Sequence, residues 1–280
     1  MIAKKHLFLF ALAGIIWKGS FAQVSSDMRE VERLLEASTK QVNQFFRRFN
    51  GEEDKNGKRL YPKDKSFRSV QLRKKFLPLL YDEFLLAENE ERAEKFAKAV
   101  ISKEDPFYLD FRGGNWFTEV RTVFEWKDKQ VQGLLYLNLE PQGQGYAWTI
   151  HAVDFDHISS SFKRDSELEE DYFLHPMSHE LDFMTFRKAF QNTSKIAQYT
   201  SKIFEVDQLS VFLAQIQNKE LRFKTVKEVK FHFLQKEGWY FGISNFNRTG
   251  YNSGWLISSL TELRNADERK QLEDYLYGRN

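Results

Sequence analysis

Cysteine is absent from this 280-residue chain, and that removes disulfides, thiol nucleophiles and a lipid-modified N-terminal cysteine together. Proline is scarce, at five residues, and no apolar run approaches the roughly 17 residues that a membrane-spanning helix needs. A surplus of one charge sign is missing too. The formal net charge is +2, from 42 basic and 40 acidic side chains.

The small basic excess belongs to the first residues. Lys4 and Lys5 form a basic n-region, Leu7 to Trp17 a short apolar core, and Ser20 and Ala22 stand where a signal peptidase reads small side chains. Residues 1–22 are therefore expected to be a secretory signal cleaved before Gln23. Taking Lys4, Lys5 and Lys18 from the 42 basic residues leaves 39 against 40 acidic ones, a net charge of −1. A nucleic-acid binder carries a basic surplus to neutralise phosphates, so no nucleic-acid partner is expected. Export without cysteine points to a bacterial envelope, periplasmic or at the cell surface, because eukaryotic exported proteins usually build disulfides. The sequons at Asn192 and Asn247 carry no such meaning there.

Aromatic residues make up 16% of the chain, with 27 Phe, which supplies a core. Asp27 and Glu30 form a capping box, and Val31, Leu34, Leu35, Val42, Phe45, Phe46 and Phe49 follow at helical spacing. A polar loop is expected over 52–65. A second helix from Ser66 carries Val70, Phe76, Leu77, Leu80 and Phe84 and kinks at Pro78, and a third runs over 89–101. From Trp116 the period changes to that of strands, expected near 117–126, 131–140 and 145–155. A charged loop over 159–171 leads to helices at 178–191 and 207–217. Strands near 221–234, 238–247 and 253–261 follow, then a helix capped by Asn265 and Glu268.

The fold class is α+β: curved antiparallel sheets, as two three-stranded meanders, packed against helices. Residues 23–157 hold the first helices and meander and 158–280 the second set, which together can form one continuous domain. Phe117, Val120 and Val123 align with Phe223, Val226 and Val229, and Trp148 and Ile150 with Trp255 and Ile257, an internal duplication that strand patterning alone also explains.

Four histidines form two groups, His151 and His157 with Asp154 and Asp156, and His175 and His179 with Glu180 and Asp182. Imidazoles and carboxylates ligate divalent metals, which makes these a candidate metal site and a metal-dependent hydrolase the alternative function. Against it, Pro176 and Ser178 put a helix start between His175 and His179. Strand alternation also separates His151 and His157 from the two aspartates unless a bulge intervenes. Ordinary surface or capping histidines are the favoured reading, with no cofactor. His179-Glu180 lacks the second histidine of H-E-x-x-H, since position 183 is Phe183. No G-x-S-x-G elbow occurs. The glycines of Asp110-Phe-Arg112-Gly113-Gly114-Asn115 could wrap an anion, although a loop entering the first strand is the simpler account.

Aromatic side chains gather at strand ends. Trp239, Tyr240 and Tyr251 are candidate ligand-binding residues, since amphipathic rings stack on sugars and peptides, whereas Trp148 and Trp255 are read as core. The function expected is a soluble exported binding or interaction module rather than an enzyme, for a small molecule, a glycan or a protein, with no transmembrane anchor. A homodimer that buries an open sheet face stays open as an alternative.

The runs Pro176-Met-Ser-His-Glu-Leu-Asp-Phe-Met184, Lys230-Phe-His-Phe233, Gly238-Trp-Tyr-Phe241 and Gly254-Trp-Leu-Ile-Ser258, with a leader ending Phe-Ala-Gln, resemble exported proteins of Bacteroidota. That resemblance implies no activity. Helices followed by a curved antiparallel sheet are also similar to nuclear-transport-factor-2-like and cystatin-like folds, which host enzymes and binding modules alike.

Overall fold

The computed structural model describes residues 42–165, 190–249 and 252–276. The leader, the capping box at Asp27, most of the helix expected over 178–191, and Tyr251 lie outside them. So do His175 and His179.

The first helix, α1, covers 42–50 of the described chain, where Val42, Phe45, Phe46 and Phe49 fall on one face and are all buried. Helix α2 (Val70–Phe76) starts later than expected. Ser69 is its cap, its hydroxyl accepting from Leu72 N at 3.2 Å, and Arg68 before it has positive φ. Pro78 does not kink a continuing helix. It sits in a separate 3-10 turn, Leu77–Leu80, because a proline ring cannot be accommodated beyond the first turn of an α-helix. A new helix α3 (Glu83–Glu88) and then α4 (Glu90–Ile101) follow. Phe84, expected on a buried stripe, is consequently 68% exposed.

The strands are β1 (Trp116–Trp126), β2 (Lys129–Gln142), β3 (Gly145–Asp154), β4 (Leu221–Phe233), β5 (Trp239–Phe246) and β6 (Gly254–Glu262). Helix α5 (Asp156–Ser161) follows β3, α6 (Gln208–Gln217) precedes β4, and α7 (Ala266–Leu276) follows β6. The expected cap of α7 is present: Glu268 N donates to Asn265 Oδ1 and Arg264 N to Glu268 Oε2, each at 2.8 Å.

The two meanders are one sheet. Its order is β3-β2-β1-β4-β5-β6, antiparallel throughout, with β1 and β4 paired along the whole of β1, and it is open at β3 and β6. Register shifts between Arg121 and Thr122 and between Val123 and Phe124 add residues to β4, and such bulges bend a strand and strengthen its twist. The described residues fall within one compact unit, Ser38–Asn280, and the other unit, Met1–Ala37, lies outside them.

The meanders share a further detail. In β3, Tyr136 pairs with Ala152 and Leu137 with Ile150, so His151 is an extra residue. In β6, Gly242 pairs with Ser259 and Ile243 with Ile257, so Ser258 is extra. These two bulges are related by the same sequence separation as Trp148 to Trp255. The Phe-x-x-Val-x-x-Val match does not carry over in the same way: Phe223 pairs with Phe124, on the opposite sheet face from Phe117.

One face of the sheet carries both hydrophobic clusters. Helices α1 to α4 cover Trp116, Phe231, Phe233, Trp239, Phe241, Ile243, Trp255, Ile257 and Leu260, and the rings of Phe49 and Phe241 stack at 5.9 Å. At the other end α5 and α6 close over Phe124, Val153 and Leu221, with Phe155 and Phe212 between. The helices that precede the first meander thus pack mainly on the second. Full burial of a phenylalanine contributes about 1.5–3 kcal/mol, so this aromatic layer is a main source of stability.

Candidate functional site

A cleft of about 580 Å³ opens where the end of α1 meets two loops and the β2–β3 hairpin. Asn43, Phe46, Arg47 and Asn50 reach it from α1, Glu52, Arg59 and Arg68 from the loop after it, residues 109–112 from the entry to β1, and Gly145 with Tyr146 from the hairpin.

The walls are fixed from below. Buried Asn50 donates through Nδ2 to Leu109 O at 2.9 Å and accepts from Leu109 N at 2.8 Å. One residue on, Gln235 accepts from Asp110 N at 3.0 Å and donates to Asp110 O at 2.7 Å and Gly114 O at 3.1 Å. Two carboxamides therefore hold the 109–114 segment, and Asp110 Oδ1 accepts from Arg112 N at 2.9 Å to close its turn. Opposite, Asp54 Oδ1 accepts from Asn56 N and Lys58 N, and Glu53 bridges to Arg59 as an isolated antiparallel pair, which sets the start of the Arg59 side chain.

Four arginines line the cleft and they are not equivalent. Arg47 reaches the fully buried Glu53 at 3.3 Å, where Gln44 and Arg48 also donate. Arg68 pairs with Glu52 at 2.6 Å and lies over the Tyr108 ring at 4.3 Å. Among the described residues neither Arg59 nor Arg112 has a carboxylate partner, and each lies over a tyrosine instead, Arg59 on Tyr61 at 5.3 Å and Arg112 on Tyr146 at 5.5 Å. Beneath them, buried Arg73 donates to Phe49 O at 3.1 Å and Phe107 O at 2.7 Å, and burial lowers its pKa.

The sequence candidates fall elsewhere. His151 is the exposed bulge residue of β3. His157 belongs to the first turn of α5 and not to the end of a strand. Its Nε2 meets Gln215 Oε1 at 3.0 Å, its ring lies 4.7 Å from Trp126, and its buried Nδ1 has no hydrogen-bond partner among the described residues. No group of three or more His, Asp or Glu side chains among the described residues is placed to share a metal ion. Trp239 and Tyr240 are 6% and 4% exposed. Trp239 packs edge-on to Phe96 at 5.2 Å, and the Tyr240 hydroxyl meets His232 Nδ1 at 2.9 Å.

Apart from His6 of the leader segment, His232 is the histidine that the two sequence groups omit. It lies wholly buried on the sheet face opposite Phe231 and Phe233, stacked on Phe117 at 4.6 Å, with Nε2 3.2 Å from Glu119 Oε2 but out of line for a hydrogen bond. Burial lowers its pKa, and Glu119 only partly opposes this, so the ring is neutral near pH 7. Burial also pushes the Tyr240 phenol up to about 12. The alternation in Phe231-His232-Phe233 places a polar ring behind two core phenylalanines, and that pattern was the available signal.

No family model matches the chain, and no curated protein or solved structure matches it either. The arginine-lined cleft was missed because its residues are drawn from four separate segments, each of which reads as an ordinary polar loop or helix end.

Proposed function

We propose that this chain is an exported binding module of a bacterial envelope and that its ligand occupies the cleft between α1 and the β2–β3 hairpin. One observation carries the reading: among the described residues lining that cleft both acids are already engaged, Glu52 with Arg68 and Asp110 with its own turn, while Arg59 and Arg112 have no carboxylate partner. The lining has recognition chemistry, and among the described residues it holds no histidine, serine or lysine. Two clamped loops make it a preformed surface, which limits the ordering cost of binding.

Export is supported by the basic and apolar leader-like segment at Lys4 to Ala22, and among the described residues no helix is long and apolar enough to cross a membrane. The test is fluorine NMR of the full chain with fluorotyrosine, the Tyr146 signal assigned by Tyr146→Phe. Titration with panels of neutral sugars, organic acids and peptides is expected to move that signal saturably for at least one class. A silent Tyr146 across all panels would overturn the reading, as would turnover abolished by one substitution at His151, His157, His175 or His179.

A further inference from the structure

Resting on the binding reading above, we infer that the cleft recognises an oxyanion carried on a small organic body, with Arg59 and Arg112 as its two anchors. Four guanidiniums line the space, but Arg47 and Arg68 already face Glu53 and Glu52. Arg59 and Arg112 are left with Asp110 as the remaining acid of the lining, and its Oδ1 is turned to the Arg112 backbone. The site therefore keeps an excess of positive charge although the whole chain is nearly neutral.

The way those two arginines are held matters as much as their charge. Each guanidinium carbon lies over a tyrosine ring, 5.3 Å from the Tyr61 centroid for Arg59 and 5.5 Å from the Tyr146 centroid for Arg112, and among the described residues neither guanidinium has a carboxylate partner. Guanidinium N–H groups that no carboxylate engages are the donors that grip two oxygens of one carboxylate, sulfate or phosphate in parallel. Lysines would give charge without that fork, and none lines the cleft among the described residues. The rest of the lining says what surrounds the anion. Phe46 and Phe111 offer apolar surface, Asn43 is a further polar side chain, and about 580 Å³ lies within the range of small-molecule sites and far exceeds one inorganic ion.

Position supports the same reading. Arg112 sits on the segment gripped by Asn50 and Gln235, so its guanidinium starts from a fixed backbone. Arg59 starts from the turn organised by Asp54. The two anchors thus come from separate loops that line one opening, each held before a ligand arrives.

The experiment is calorimetric titration of the full chain with glucuronate, glucose 6-phosphate, inorganic phosphate and glucose, beside Arg59→Gln/Arg112→Gln and a control, Lys103→Gln. Saturable binding of glucuronate or glucose 6-phosphate, at least tenfold tighter than glucose, lost at least tenfold in the double variant and kept in the control, is the expected result. The glucuronate and phosphate arms decide which oxyanion is preferred. Arg59→Lys/Arg112→Lys, which keeps the charge, is expected to recover only part of the affinity, and this guards against misfolding of the glutamine variant. Equal binding in all three proteins, or no saturable binding of any anion, overturns the inference. If neutral sugars shift the Tyr146 signal while the anions do not, the anion inference fails and the binding reading stands. Silence at Tyr146 for every probe sinks both.

Discussion

The carboxamide of Asn50 satisfies both backbone groups of Leu109, donating to its carbonyl at 2.9 Å and accepting from its N–H at 2.8 Å, across a separation of 59 residues. A helix end is thereby fastened to the strand-entry loop that carries Arg112. Asn50→Ala removes both partners and leaves a buried amide and carbonyl unpaired, so a loss of about 1–3 kcal/mol is expected in urea unfolding. The same variant should weaken any ligand that needs Arg112, and Asn50→Asp should not restore it, because a carboxylate cannot donate to Leu109 O.

Phe49 is the centre of the aromatic layer, fully buried and within 6.3 Å of the rings of Phe96, Phe107 and Phe241. Phe49→Ala should cost about 3–5 kcal/mol, the usual range for a phenylalanine cut from a core. Phe84→Ala, at the exposed helix α3, should cost well under that. Chemical denaturation of the pair checks the contrast, and equal losses would show that the helical layer is not where the described packing puts it.

Gly133 lies under the Phe155 ring, where an added Cβ would stand 2.2 Å from the ring edge. Thr122 Oγ1 donates to Gly133 O at 2.9 Å, which holds the strand in place beneath it. Gly133→Ala is expected to destabilise by about 1–3 kcal/mol through overpacking. Combining it with Phe155→Leu should recover part of the melting temperature, since the smaller side chain vacates the clash.

Acid should unfold this protein partly through His232. Its folded pKa lies below the ordinary histidine value because burial penalises the imidazolium, so between those two pKa values the unfolded chain holds more protons. Stability is therefore present above about pH 6.5 and falls as pH drops below it, by at most about 1.4 kcal/mol per pH unit from this group. His232→Gln should flatten that part of the profile. Melting temperatures from pH 7.5 to pH 5 measure it, and parallel curves for the two proteins would remove His232 as the cause.

Strand positions were legible in the sequence because aromatic and β-branched runs alternate between turn residues, and all six appear within a few residues of their expected places. The helix after Ser66 was not, since the apolar spacing of Leu77, Leu80 and Phe84 continues across Pro78 although the backbone changes form there. His157 was misplaced for a similar reason: the alternation of β3 runs on through Phe155, and only the turn of α5 ends it. The cleft was beyond reach of motif reading, because Arg112 is placed by the Asn50 and Gln235 clamps and Arg59 by the separate Asp54 turn, and no local spacing encodes a contact across 59 or 125 residues.

The crossed packing has a consequence for how the chain holds together. Helices α1 to α4 precede the first meander yet lie on Phe233, Trp239, Phe241 and Ile257 of the second, and α6 precedes the second meander yet helps cover Phe124 and Phe155 at the first. The two three-stranded units of the sheet thus lean largely on helices that lie before the other's strands or between the two, an arrangement like that of a domain-swapped dimer but within one polypeptide. Neither unit then owns a complete core, so a fragment ending after the first meander should fail to fold alone, while the two co-expressed fragments should rebuild the sheet along the β1–β4 seam.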